Sequence, residues 1–499
     1  MIARLLLCLS TLLGVLIAAA PPGWAQDFSF ASVQDEARRL AAEPYRKPEP
    51  IASAALRGMT YDQYQQVRFR GDKALWQNRN SLFRAEFFAT GFIYETPVSI
   101  FVVADGRATP LAATPDMFDF STSEVAPDAN AVALAGVKLT YPLHGAKRDE
   151  VIAFLGASYF RTIGRQQAYG TSARGLAIDT GLSRPEEFPR FRTFWLVTPA
   201  EGAHEATIWA LLDTPAAAGA YAFTVRPGTR TVTEVSATLF MRHDVSLMGV
   251  APLSSMYLSG KNGPRRDDFR PEVHDSDGLF MITGTGERIW RPLANPVALS
   301  ISSFVDHNPR GFGLLQRERA FAQYQDVPAA YQARPSLWIE PLDGWGDGEV
   351  RLLELPTDSE VHDNIAAFWA PRAPPKKGEK FDLHYRVSAL LDEPSPSTAA
   401  RVVATRSGAL AGRPKQRLLV VEFAGGDLDS IEAEQPVEAD VSLSSGKLLR
   451  QRVERTPRGT SWRLLAEVEP DGKKPMDLRA FLRLRGETLT ETWSYLLRP

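Results

Sequence analysis

The 499-residue chain contains one cysteine, Cys8, and it falls inside an apolar leader. Once that leader is removed no thiol remains. Disulfide scaffolding, cysteine nucleophiles, iron–sulfur clusters and thiolate zinc sites are therefore excluded. The fold has to hold through burial alone, which a chain of this length can achieve. Charge of one sign is also missing, since 57 Lys+Arg face 59 Asp+Glu for a formal net charge of −2. No basic block stands out, which argues against nucleic acid as a partner. After residue 20 no apolar run is long enough to span a bilayer. Long helical periods between strands are lacking, against a parallel α/β fold. No GxSxG, Walker or GxGxxG pattern occurs in a suitable context.

The N-terminus carries an export signal. Arg4 supplies a positive charge, Leu5 to Ala20 is uncharged and apolar, and Gly23-Trp24-Ala25 offers small residues for cleavage after Ala25. No twin-arginine pair precedes the run, so the Sec route is expected. Residues 1–25 are read as a signal peptide, leaving no stable membrane insertion once it is cleaved.

Beyond the leader, Ser32 reads as the N-cap of a short helix with Val33, Ala37 and Leu40 on one face, ended by Pro44. A second capped stretch runs from Tyr61 to Val67, and short helices are expected at Glu150–Leu155 and Glu186–Arg190. From Phe83 onward, runs rich in β-branched and aromatic residues recur about every dozen positions, the spacing of a sandwich or barrel. Residues 371–380, rich in Pro, Lys and Gly, read as a linker. After it come about seven cleanly alternating strands, as in an immunoglobulin-like sandwich without its disulfide. The expected fold class is all-β: an N-terminal β-sandwich domain over 26–370 and a C-terminal immunoglobulin-like domain over 381–499.

Between Asp267 and Trp369 acids, aromatics and arginines alternate with Gly and Pro turns. Glu272, Asp275, Asp277, Asp306, Asp326, Glu340, Asp343, Glu360 and Asp363 each lie near Trp, Phe or Tyr. Flat rings for pyranose faces and polar forks for hydroxyls are what a sugar-binding cleft needs. The same composition serves a loop-rich β surface. The long loop Phe154–Gly181, with Tyr159, Arg161, Arg165 and Tyr169, reads as a cleft wall.

The segments RPEVHDSDGL, IWRPLANP, NPRGFGLLQRER, RPSLWIEP, GWGDGEVRLLELPT, DNIAAFW and LRGMTYDQYQQVRFR resemble the periplasmic proteins of osmoregulated periplasmic glucan biosynthesis, types G and D. The Sec-like leader looks more like type G. The resemblance implies a periplasmic protein with a galactose-mutarotase-like β-sandwich and an immunoglobulin-like domain. It implies action on β-1,2-glucan chains, and similarity to inverting endo-β-1,2-glucanases. Carried onto this chain, the general base falls on Asp275 and the general acid on Asp363.

Physical reading of the residues adds to this. Asp275 and Asp277 share a face if the strand is extended, so Asp277 is a candidate supporting carboxylate. Glu360 is a second candidate, three residues before Asp363. Apolar neighbours (Ile365, Phe368, Trp369) are expected to raise the Asp363 pKa toward that of a working acid. Candidate sugar contacts are Trp290, Arg291, Arg310, Tyr324, Trp338, Glu340, Trp345, Tyr159 and Arg165. Their plainer readings are core aromatics and loop-bracing ion pairs. An EF-hand reading of HDSDG fails on its ligand positions, and no metal or other cofactor is expected. A non-catalytic glucan carrier, or a partner of the inner-membrane glucan synthase docking through the C-terminal domain, are the alternatives to a hydrolase or transferase.

Overall fold

A computed structural model of the protein describes residues 27–498 apart from 52, 124, 126–131, 146, 265, 458 and 460. The signal-peptide expectation lies outside the described residues. Among the described residues, no helix is long and apolar enough to cross a membrane.

The protein is an all-β sandwich with few, short helices. One layer is a 10-stranded sheet whose middle holds Tyr159–Thr162, Ser172–Arg174, Met248–Ser255 and Ile365–Pro371. The other is a 15-stranded sheet that includes Arg190–Val197, Ala206–Asp213, Ala217–Arg226 and Thr231–Met241. Alternation decides which residues face inward: Ala217–Arg226 and Thr231–Met241 bury every second side chain along much of their length. Between the layers an aromatic cluster closes the core. Phe223 lies 4.9 Å from Phe154 and 5.2 Å from Phe160, ring centre to ring centre, with Phe191 and Tyr221 against it.

The N-terminal helix spans Phe30–Ala42 and starts one turn earlier than the sequence suggests. Ser29 is its cap; Ser32 sits at the third helical position and its hydroxyl accepts the Ser29 N–H at 3.1 Å. Val33 and Ala37 are fully buried against the large sheet. The second expected helix is present as Tyr61–Gln66, capped by Thr60. The stretch Glu150–Leu155 is not helical but part of the strand Lys147–Leu155, because its pairing with Leu134–His144 overrides local propensity. Glu186–Arg190 likewise forms no helix; Glu187 makes an isolated bridge to Ile178.

The expected linker boundary needs correction. Lys380–Leu390, read as the first strand of the C-terminal domain, lies inside the large sheet, between Thr231–Met241 and Ser336–Pro341. Residues 371–380 are a crossover between two strands of the main sandwich. The C-terminal layer pair comes later. Arg401–Leu410, Arg413–Ala424, Trp462–Glu469 and Lys447–Arg455 form a four-stranded sheet. They cover Glu438–Leu443, Met476–Leu484 and Thr492–Leu497, which continue the large sheet through a parallel pairing of Thr492 and Trp493 with Ile289 and Trp290. A shared core of Phe280, Trp290, Trp338 and Leu390 with Val421, Trp462 and Trp493 joins the two parts.

Candidate active site

Two short backbone segments hold the site together. Tyr257–Ser259 pairs with Val273–His274, with Tyr257 opposite His274. Asp275 follows directly, and its N–H donates to the Met256 carbonyl at 2.9 Å. Asp363 lies in the turn that leads into Ile365–Pro371. Its neighbour Asn364 is buried and pins that turn. The Asn364 side chain accepts the Tyr257 N–H at 2.8 Å and donates to the Tyr257 carbonyl at 3.1 Å and the Leu355 carbonyl at 2.9 Å. The backbone of Met256 and Tyr257 thus carries both aspartates, one through a carbonyl and the other through Asn364.

Asp275 and Asp363 line one cavity of about 460 Å³, together with Glu360, Arg334, Arg161, Tyr159, Tyr169 and Tyr61. A second cavity of about 320 Å³ shares Leu155, Tyr159, Arg161 and Asp363 with the first, and reaches Tyr94 and Ile93 over a floor of Phe154, Phe191 and Phe194. Asp363 therefore stands where two cavities meet. The floor is the rim of the aromatic core cluster, so the packing that closes the sandwich also shapes the cleft.

The electrostatics of the two acids differ. Asp275 is 4% exposed. Burial pushes its carboxyl up to about 6, against the pull of Arg334, and the nearby Asp363 adds to the rise. Arg334 Nη1 donates to Asp275 Oδ1, and its guanidinium lies 4.1 Å over the Tyr331 ring. The Tyr331 hydroxyl donates to Glu360 at 2.6 Å, and Arg270 donates to the same carboxylate at 2.7 Å and to Asp326 at 2.8 Å. Asp363 opens to solvent, yet the protein around it strips enough water to raise its pKa. Arg161, Arg174 and Arg334 oppose that rise.

A raised carboxylate pKa has a definite effect on stability. An unfolded Asp titrates near 3.9, so between about pH 4 and 6 the folded chain holds a proton on Asp275 that the unfolded chain lacks. This group's contribution to stability therefore increases as pH falls from 7 to 4.5, by about 2 kcal/mol. Urea denaturation of wild type and Asp275→Asn at both pH values measures it. The stability difference between the two proteins is expected to move toward wild type on acidification.

Of the residues expected at the site, Asp275, Asp363, Glu360 and Tyr159 meet in the cleft. Asp277 does not. The chain bends at Asp275 and again at Asp277 instead of staying extended, and the Asp277 carboxylate turns to the backbone N–H groups of Arg317 and Glu318, at 3.1 and 3.0 Å. Trp290 and Trp338 are buried in the core shared with the C-terminal part, and Trp345 packs between Trp369 and Tyr385. Their large apolar area is worth more inside than on a cleft wall. Tyr324 is fully buried behind Tyr331. Arg291 is buried between Ser302 and Ser494. Arg310 donates to the Gly284 carbonyl, and Glu340 pairs with Arg386. Arg165 is exposed, its N–H tied to Gly228. None of these lines either cavity. The aromatic wall is made instead by Tyr61, Tyr94, Tyr159 and Tyr169. Tyr61 and Tyr94 were not singled out by the sequence reading. The only signal toward Tyr61 in the sequence is its place at the start of a capped helix.

The family model described as "Periplasmic glucan biosynthesis protein, MdoG" matches residues 28–497. Glucans biosynthesis protein G of Ralstonia nicotianae is 44% identical over 497 residues, covering 97% of this chain and 99% of the relative. The protein of the same name from Rhodopseudomonas palustris is 44% identical over 97% of this chain and 96% of its own. A probable glucans biosynthesis protein D of Shewanella oneidensis is 41% identical over 100% of this chain and 94% of its own. Relatives of types G and D thus match at comparable identity.

Proposed function

Because the chain belongs to the MdoG family of periplasmic glucan biosynthesis proteins, and so has a role in glucan biosynthesis, we propose that it cuts the β-1,2-linked glucose backbone inside the chain, by inverting hydrolysis. The observation that carries this reading is the presence of Asp275 and Asp363 in one cleft, both with carboxyls raised above their ordinary range.

In the proposed reaction Asp363 is the general acid and gives a proton to the glycosidic oxygen. Its position at the meeting of the two cavities suits a bond between sugars lying on either side. Asp275, ionised above about pH 6, accepts a proton from water attacking the opposite face of the sugar. An inverting pair needs about 6.5–9.5 Å between its carboxyls to admit that water. Tyr159, Tyr61 and Tyr94 offer rings for the pyranose faces, and Arg161 offers donors for hydroxyls. No cofactor enters this chemistry.

One observation favours a second reading, a glucan carrier. Arg334 already engages Asp275, as it would in a structural ion pair. Incubation of purified protein with linear β-1,2-glucan decides between the two. Hydrolysis predicts new reducing ends, at a rate that falls as pH drops below about 6 because Asp275 becomes protonated. Binding without any new reducing ends would leave the carrier.

A further inference from the structure

The residues on either side of Asp275 are held by a strap, Leu315 to Glu318, that also touches the C-terminal part of the chain. Gln316 brackets His274: its side-chain oxygen accepts from His274 Nδ1 at 2.8 Å and its amide nitrogen donates to the His274 carbonyl at 2.9 Å. The Leu315 carbonyl accepts the Asp277 N–H at 2.8 Å. The backbone N–H groups of Arg317 and Glu318 close on the Asp277 carboxylate. The loop that presents Asp275 is thus fixed at both shoulders by one segment.

The other side of the strap is held through Arg317, whose guanidinium is shared by Glu491 and Glu393; the Glu393 carboxylate lies 3.1 Å from Nε and 3.4 Å from Nη2. Arg317 Nη1 and Nη2 donate to the two oxygens of Glu491 at 2.6 and 3.0 Å, and Nη1 also reaches the Val402 carbonyl at 3.1 Å. Glu491 accepts the Val402 N–H at 2.7 Å as well. Its exposure is 3%. The Arg317 guanidinium is stacked 3.8 Å over Trp290. An apolar contact would hold two layers together at least as well, whereas a buried two-pronged ion pair fixes one register and one distance. The strands around it already supply an apolar shared core, so adhesion between the two parts does not require this pair.

We propose that Glu491 is a positioning residue for Asp275, so that the C-terminal layers set the placement of the general base through Arg317 and the strap. The inference rests on the acid–base reading of Asp275. It gives the C-terminal part a role in the reaction beyond support or docking. It also makes productive geometry dependent on how that part is seated. Glu491 touches no substrate; it acts through Arg317 and Asp277.

The test uses the full-length chain with Glu491→Gln, Glu491→Ala and the conservative Glu491→Asp. Gln and Ala are expected to lower kcat on linear β-1,2-glucan by about 10- to 100-fold, the scale of a small misplacement of a catalytic group, with KM little changed. The acidic limb of the pH profile should move with them, and Asp should restore part of the rate. An unchanged kcat and pH profile, with only a lower melting temperature, would overturn the proposal. Should Glu491→Ala fail to fold, Glu491→Gln and Arg317→Lys carry the same comparison. A second readout does not need turnover. The Asp275 carboxyl is titrated by carbon NMR, assigned by difference with Asp275→Asn. Its midpoint is expected to shift between wild type and Glu491→Gln, and coincident titrations would count against the clamp. A wild type without turnover defeats the hydrolase reading alone, and the titration still decides the clamp.

Discussion

Asp363→Asn and Asp275→Asn should each cut the release of reducing ends from linear β-1,2-glucan by about 10²- to 10⁴-fold, the range that a positioned acid or base contributes. Binding of the polymer, followed by calorimetry, should be retained, because Asn keeps the shape of Asp and the cleft walls are untouched. The two losses arise differently. Asp363 opens to solvent at the junction of the two cavities, so its replacement removes a proton donor with little effect on folding. Asp275 is buried beside Arg334. Asn there can still accept from the guanidinium but cannot take up a proton from water. Acid and base act in one step, so the double variant should be scarcely slower than the worse single variant. Losses that multiply would mean that the two groups serve separate steps.

Arg334→Ala should have the next largest effect, a fall in kcat of about 100-fold near neutral pH, with the acidic limb of the rate profile displaced upward. The direction follows from the forces on Asp275. Burial raises its pKa, and the Arg334 charge and hydrogen bond are the main opposition. Without Arg334 the carboxyl titrates above about 6 and a smaller fraction of the protein carries an ionised base. Arg334→Lys should recover part of the charge effect but not the fork held flat over Tyr331 at 4.1 Å. Its rate is expected to fall between wild type and Ala, with the limb nearer to wild type. Tyr331 and Glu360 lie in the same chain of contacts, and Glu360→Gln removes a negative charge, so it should produce a smaller shift in the opposite direction. A rate profile for Arg334→Ala that kept its limb in place would show that the ion pair does not tune the base.

The strands were legible in the sequence because alternation of apolar residues marks which side of a strand is buried. It does not mark which strand lies alongside. That is why Lys380–Leu390 was read as the start of the C-terminal domain although it pairs with Thr231–Met241 and Ser336–Pro341. Asp275 and Asp363 came from the resemblance, and the structure puts both side chains in one cleft. The period-two argument for Asp277 assumed an extended chain, and the bends at Asp275 and Asp277 reverse its face. The tryptophans misled for a related reason. Composition shows that rings are present but not whether they face water, and Trp290, Trp338 and Trp345 pack into the core first. The cleft wall draws on Tyr61 and Tyr94, far from the acid-rich stretch. Only the pairing of Arg84–Ala89 with Leu134–His144, and of that strand with Lys147–Leu155, shows how the N-terminal segments come to border it.

The central claim is that Asp363 and Asp275 act from opposite sides of one glycosidic bond with a single water between. The anomer formed first, read by proton NMR in the first minutes of digestion of linear β-1,2-glucan, tests it most directly. Direct displacement by water predicts that the new reducing end appears as the α-anomer and only later mutarotates. A β-anomer appearing first would mean a covalent intermediate and a different pairing of carboxylates, and would contradict the account.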